Sequence, residues 1–215
     1  MFPPPLQNLI DQMSKLPEIG PRAATRLAFF MLNQPDDYLK AFARAIEELK
    51  QKTKICRNCF NLTSNTPPPP PPTKGGIEDG LCAICLDTRR DQNTICVVED
   101  ILDIIPIERT KRYNGVYHIL GGLIAPVEGL TPEKLHIKEL ENRIKNLQQK
   151  NKDKAVEIIL AFNPTTEGDT TALYLQRILN PLGVKTTRLG RGLSTGSDLE
   201  YADETTLINA FLGRR

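Results

Sequence analysis

No apolar run in the 215 residues approaches the roughly 18–20 that a spanning helix needs, so no membrane segment is predicted. The start, MFPPPLQNLIDQM, has no basic stretch ahead of an apolar one, so no signal peptide is read and a cytoplasmic location is expected. Excess charge is also missing. Lys and Arg number 28 against 26 Asp and Glu, a formal +2. That balance excludes a uniformly basic nucleic-acid coat, although a local basic patch remains open. Histidine is scarce: His118 falls in a strand pattern and His136 in a helical one, and neither pairs with an evident nucleophile. The Gly-rich stretch 190–196 lacks the Lys and hydroxyl spacing of a phosphate-binding loop. There is no repeat at solenoid spacing. A hydrophobic content of 40% with 25% charged residues excludes global disorder.

The apolar spacing divides the chain. Leu6, Leu9, Ile10, Met13 and Leu16 predict a helix over 6–16, and LPEIGP (16–21) breaks it. Pro21 opens a second helix running to about Asn33. Asp36 reads as the N-cap of a third helix, through Lys52, with Leu39, Phe42, Ile46 and Leu49 on one face. Residues 54–87 are rich in Cys, Asn, Thr, Pro and Gly. They hold six consecutive prolines, Pro67 to Pro72. Such a run favours polyproline II and reads as an exposed insertion, 66–76, with a role as ligand for proline-binding domains as the alternative. Strands at 94–98, 116–120, 155–162 and 184–189 then alternate with helices at 132–149 and about 169–180, which predicts a mainly parallel sheet covered on both faces. A final helix is expected over about 203–212.

Five cysteines include two close pairs, Cys56-x-x-Cys59 and Cys82-x-x-Cys85, with 22 residues between them. Two such knuckles can supply four thiolates to one tetrahedral Zn²⁺, leaving no position for water, so the site reads as structural. A redox dithiol pair is the alternative. Cys96 stands alone in an apolar strand and reads as a core residue.

Helix, tight turn and helix in LPEIGPRAATRLAF (16–29) resemble a helix-hairpin-helix motif. Around Gly20 the turn leaves free backbone N–H groups at a positive helix end, and Arg22 and Arg26, four apart, share a face from which they can pair with phosphates. Glu18 stands where the motif usually has its first glycine. An ordinary helical turn with solvated arginines is the alternative. Farther on, Glu99 follows the strand TICVV, and Glu167 and Asp169 follow the strand AVEIILAF. Acids at the C-terminal ends of parallel strands resemble the metal site of a Toprim domain. The Asp-x-Asp of that domain is here Asn163-Pro164-Thr165, and an amide and a hydroxyl are poor ligands for Mg²⁺.

The order of these parts resembles the RecR family of bacterial recombination mediators. The resemblance is carried along nearly the whole chain by LPEIGPRAATRLAFFML, CRNC, CAIC, TICVVED, GVYHILGG, LHIKEL, EGDTTALYLQR and GSDLEYADETTL. It implies four modules: a helix-hairpin-helix over 1–53, a four-Cys zinc finger over 54–87, a Toprim-like domain over 92–190, and a Walker-B-like tail for oligomerisation over 191–215. It implies a non-enzymatic DNA-binding protein of recombinational repair, a dimer or ring-like tetramer. Such a protein acts with RecO, and in some settings RecF, to load RecA on gapped single-stranded DNA. By the same resemblance Gly20, Arg22 and Arg26 contact DNA, Cys56, Cys59, Cys82 and Cys85 bind zinc, and Glu99, Glu167 and Asp169 belong to a RecO-binding face. The rival readings are a Mg²⁺-dependent Toprim nuclease or topoisomerase-like enzyme using those three acids, and a scaffold with no DNA contact.

Overall fold

The computed structural model describes residues 2–64, 80–151 and 154–214. The proline-rich insertion expected at 66–76 lies outside them. The chain forms two units, divided between Thr53 and Lys54.

The first unit has three helices, α1 (Pro4–Met13), α2 (Pro21–Leu32) and α3 (Asp36–Lys52). Ile10 and Met13 of α1 pack on Ala24, Ala28 and Met31 of α2, and the two alanines bring the helices close. The first helix starts and ends earlier than its periodicity suggests. Prolines are tolerated in its opening turn, and the chain turns after Met13, leaving Leu16 exposed. Asp36 is not a cap. Pro35, at φ −60° and ψ 150°, supplies the extended capping residue, and Asp36 lies in the first turn where its charge suits the helix dipole. α3 buries none of its residues, so Phe42, Ile46 and Leu49 form an exposed apolar stripe.

A two-stranded ribbon, β1 (Thr53–Ile55) and β2 (Leu62–Ser64), starts at the boundary and, with a one-turn helix α4 (Ala83–Leu86), opens the second unit. A four-stranded parallel sheet follows, made of β3 (Asp91–Val98), β4 (Gly115–Ile119), β5 (Glu157–Leu160) and β6 (Lys185–Arg188) in the order β4-β3-β5-β6. Its helices are α5 (Ile104–Arg109), α6 (Ile137–Lys150) and α7 (Thr166–Leu179), and α8 (Glu204–Leu212) ends the chain. Period-two alternation assigns the faces. Ile95, Val97, Val116 and Ile158 pack with Leu140 and Ile144 of α6 and Leu175 and Leu179 of α7. Cys96, Val98, Tyr117 and Ile119 pack with Ile104 of α5, and Phe60 and Ile84 lie against them. The fold is therefore a helix-hairpin-helix, a clustered four-cysteine module, a Toprim-type parallel sheet with helices on both faces, and a short C-terminal region.

Two helices differ from expectation. The segment read as helical over 132–149 opens with a separate 3-10 turn, Pro132–Lys134, before α6 starts. α7 starts at Thr166, not near 169, because Thr165 caps it by accepting the Gly168 N–H at 3.1 Å. No helix among the described residues is long and apolar enough to cross a membrane.

Candidate functional site

The four paired cysteines converge. Their sulfurs lie within 4.8 Å of one another, and Cys56, Cys59 and Cys82 are buried. Local backbone builds each knuckle. Cys56 N–H donates to Asn61 O at 2.7 Å and Phe60 N–H to Cys56 O at 2.9 Å, a turn that Phe60 closes in the left-handed region at φ 66°. Cys82 caps α4, and its own N–H donates to Cys56 Sγ at 3.3 Å. Asn58 Nδ2 donates to Cys85 Sγ at 3.5 Å. Such donors stabilise sulfur anions. Crowded thiols share protons unequally: hydrogen bonds from Cys59, Cys82 and Cys85 hold Cys56 far below the usual thiol range, and the same sharing pushes Cys59 up. The donor set fits a tetrahedral ion. Cys96 stays apart, and burial pushes its thiol up to about 12.

The module is fastened to the sheet at the edge strand β4. Ile119 N–H donates to Cys59 O at 3.0 Å. Arg143 of α6 donates from Nη1 to Asn58 O at 3.3 Å and to Tyr117 O at 2.6 Å. Phe60 stacks on His136 with ring centroids 3.7 Å apart and meets His118 edge-on at 5.4 Å. A carbonyl can only accept, so His118 donates from Nε2 to His136 O at 2.8 Å. Its Nδ1 is then a bare acceptor, buried without a partner among the described residues. Burial lowers the imidazole to about 3.

In the first unit the hairpin turn is pinned by Ile19 N–H donating to Leu16 O at 3.2 Å. Glu18 adopts φ 65°, the left-handed conformation a glycine takes without strain, so it occupies the glycine position of the motif at a cost of about 1 kcal/mol. Gly20 caps α2 and faces open space. Ala24 N–H already donates to Gly20 O, which leaves the Arg22 and Ala23 amides as the free N-terminal donors of the helix. Arg22 and Arg26 are both exposed, and neither forms an ion pair among the described residues.

The three acids of the sheet do not form an ion-holding cluster. Among the described residues the four cysteines are the one cluster of three or more His, Cys, Asp or Glu side chains close enough to hold an ion. Glu99 follows β3, and burial, with Asp103 and Asp100 nearby, raises its carboxyl. Glu167 and Asp169 lie in the first turn of α7 and not in a loop before it. Asp169 is bound by Arg191 and Arg188, which hold its carboxyl at about 2. Both arginines escape a reading of the sequence. Arg188 is visible there only as the end of a strand, and Arg191 is hidden by the glycines around it.

Comparison with known proteins follows the same modules. The family described as "RecR, helix-hairpin-helix" matches residues 6–50, the Toprim domain matches 93–190, and "RecR, C-terminal" matches 192–215. The Recombination protein RecR of Cutibacterium acnes is 46% identical over 214 residues, covering 100% of this chain and 96% of that protein. The protein of the same name from Staphylococcus aureus strain Newman is 44% identical over 213 residues, covering 99% and 98%.

Proposed function

The chain belongs to the RecR family of recombination proteins, and from that premise we propose that it is a non-enzymatic DNA-binding mediator of recombinational repair in the cytoplasm. It acts with RecO, and in some settings RecF, to help RecA load on gapped single-stranded DNA, as a dimer or ring-like tetramer. The observation that carries this reading is the hairpin: two exposed arginines, without an ion pair among the described residues, directly behind the free amide end of α2. Backbone donors and guanidinium groups there can hold phosphates without reading bases. Repetition around a ring multiplies two arginines per chain, so a net charge of +2 is no obstacle. The missing Asp-x-Asp and the arginine clamp on Asp169 support a role without catalysis, with Glu99, Glu167 and Asp169 serving as a protein-binding face for RecO.

Cys56, Cys59, Cys82 and Cys85 would hold Zn²⁺, whose part is structural: it fixes the two knuckles to each other and so holds Phe60 and Cys59 against β4.

Arg22→Ala with Arg26→Ala tests the reading. The double variant should bind duplex DNA more weakly at every sequence, and its log–log salt slope should fall by about 0.9 for each phosphate no longer neutralised. An unchanged slope overturns the hairpin assignment. Metal-dependent nicking of supercoiled DNA, abolished by Glu167→Ala, overturns the non-enzymatic one.

A further inference from the structure

A cleft of about 640 Å³ opens in the second unit between the cysteine module and α6, and none of the three acids lines it. Its walls are unusual in composition. Asn142 and Asn146, one turn apart on α6, face it together with Gln92 and Asn151, and Lys150 stands at the end of the same helix. The side chains of Gln92, Asn142 and Asn146 form no hydrogen bond among the described residues. Phe60 and Leu147 add apolar surface. Glu139 is the one carboxylate among the lining residues.

Arg143 also lines this cleft, and it is only 8% exposed. Both of its hydrogen bonds leave from Nη1 and end on carbonyl oxygens, so its charge has no carboxylate partner among the described residues. Nη2 and Nε make no bond there either. A cation removed from water without a counter-ion is costly, and an anion delivered to it relieves that cost. Unpaired amides, each carrying a donor and an acceptor, match the edges of bases, and an apolar wall suits a base or sugar face. The volume lies within the range of sites that enclose a small ligand.

We propose that this cleft binds one nucleotide of single-stranded DNA, with the phosphate drawn to Lys150 and Arg143 and the base met by Asn142, Asn146 and Gln92. This rests on the reading of the chain as a DNA-binding protein, and adds a single-strand subsite to the duplex-tolerant hairpin. Arg143 itself is structural and is left intact in the test.

The experiment uses the full metal-loaded chain and fluorescent oligonucleotides of mixed sequence, one single-stranded and one duplex of equal length, across a salt series. Asn142→Ala with Asn146→Ala, at exposed helix positions that tolerate alanine, should weaken single-strand binding about tenfold, with the salt slope and duplex affinity unchanged. Lys150→Ala should lower the single-strand slope by about 0.7. Competition by thymidine monophosphate assigns recognition to the nucleotide alone; amide-dependent binding without such competition assigns it to the strand. Equal losses on both DNA forms, no loss in the amide variant, or no single-strand binding by the wild type overturns the cleft. So does amide-dependent capture of an oligoglutamate peptide with DNA binding intact. Arg22→Ala with Arg26→Ala in parallel separates the two readings: loss of duplex binding there, with the amide variant at wild-type level, removes the cleft and keeps the hairpin.

Discussion

Acidification should unfold the second unit partly through one buried imidazole. His118 is fully buried, and burial lowers its pKa to about 3 from an unfolded value near 6.5. Arg143 and His136 nearby lower it further, while the bond to His136 O opposes them. The tautomer explains why the proton is refused. Nε2–H is already committed, so protonation would place a charge and an unpartnered N–H at Nδ1. Between pH 6.5 and 3 the unfolded chain therefore binds a proton that the native chain does not, and stability falls as pH falls. The loss is about 1.4 kcal/mol per pH unit, hence about 2 kcal/mol by pH 5, and it is absent above pH 7. Urea unfolding at pH 7.5 and pH 5 measures it. Other carboxylates and the cysteines titrate too, so the comparison is with His118→Gln, whose amide can donate to the same carbonyl but does not ionise. The wild type should lose about 2 kcal/mol more than the variant over that interval. Equal losses in the two proteins would refute the reasoning, as would an imidazole that titrates normally by NMR.

Two further outcomes follow from buried partners. Thr171 is fully buried on α7, accepts the Ile124 N–H at 2.8 Å and donates to Glu167 O at 2.7 Å. Thr171→Val keeps the shape but orphans the Ile124 amide, so urea unfolding should show a loss of about 1–3 kcal/mol, with Thr171→Ser close to wild type. Metal removal by a chelator, or Cys59→Ser, should release about one zinc per chain by elemental analysis and lower the unfolding midpoint of the sheet as well as of the ribbon. A metal-free chain with an unchanged midpoint would refute the zinc assignment.

The sequence reveals most where a local rule is sufficient. Alternating and continuous apolar runs locate all four strands of the sheet, and cysteine spacing announces the cluster without reference to any distant residue. Other features depend on distant partners. Glu99, Glu167 and Asp169 look equivalent because each follows a strand, but Asp169 is taken by two arginines from β6 and the segment after it. α5 is invisible in the sequence because Pro106 argues against a helix, although a proline within the first turn forfeits no intrahelical bond. The apolar stripe of α3 is legible as periodicity, yet periodicity says nothing of whether a stripe is covered. The cleft beside the cysteine module has no signature at all, since its amides lie 50 residues or more from Gln92 in the chain and meet it only through the fold.

The hydrogen bond from Ile119 to Cys59 also bears on which border of the sheet is open to strand pairing. β4 borders the sheet, and an exposed border strand is a template on which another chain can add a strand. The knuckle carbonyl occupies one of its outward-facing donors, and Phe60 and Arg143 hold the module in place along it. The cysteine module thus covers part of a strand border that would otherwise be open to pairing, and unfolding of the module would uncover it.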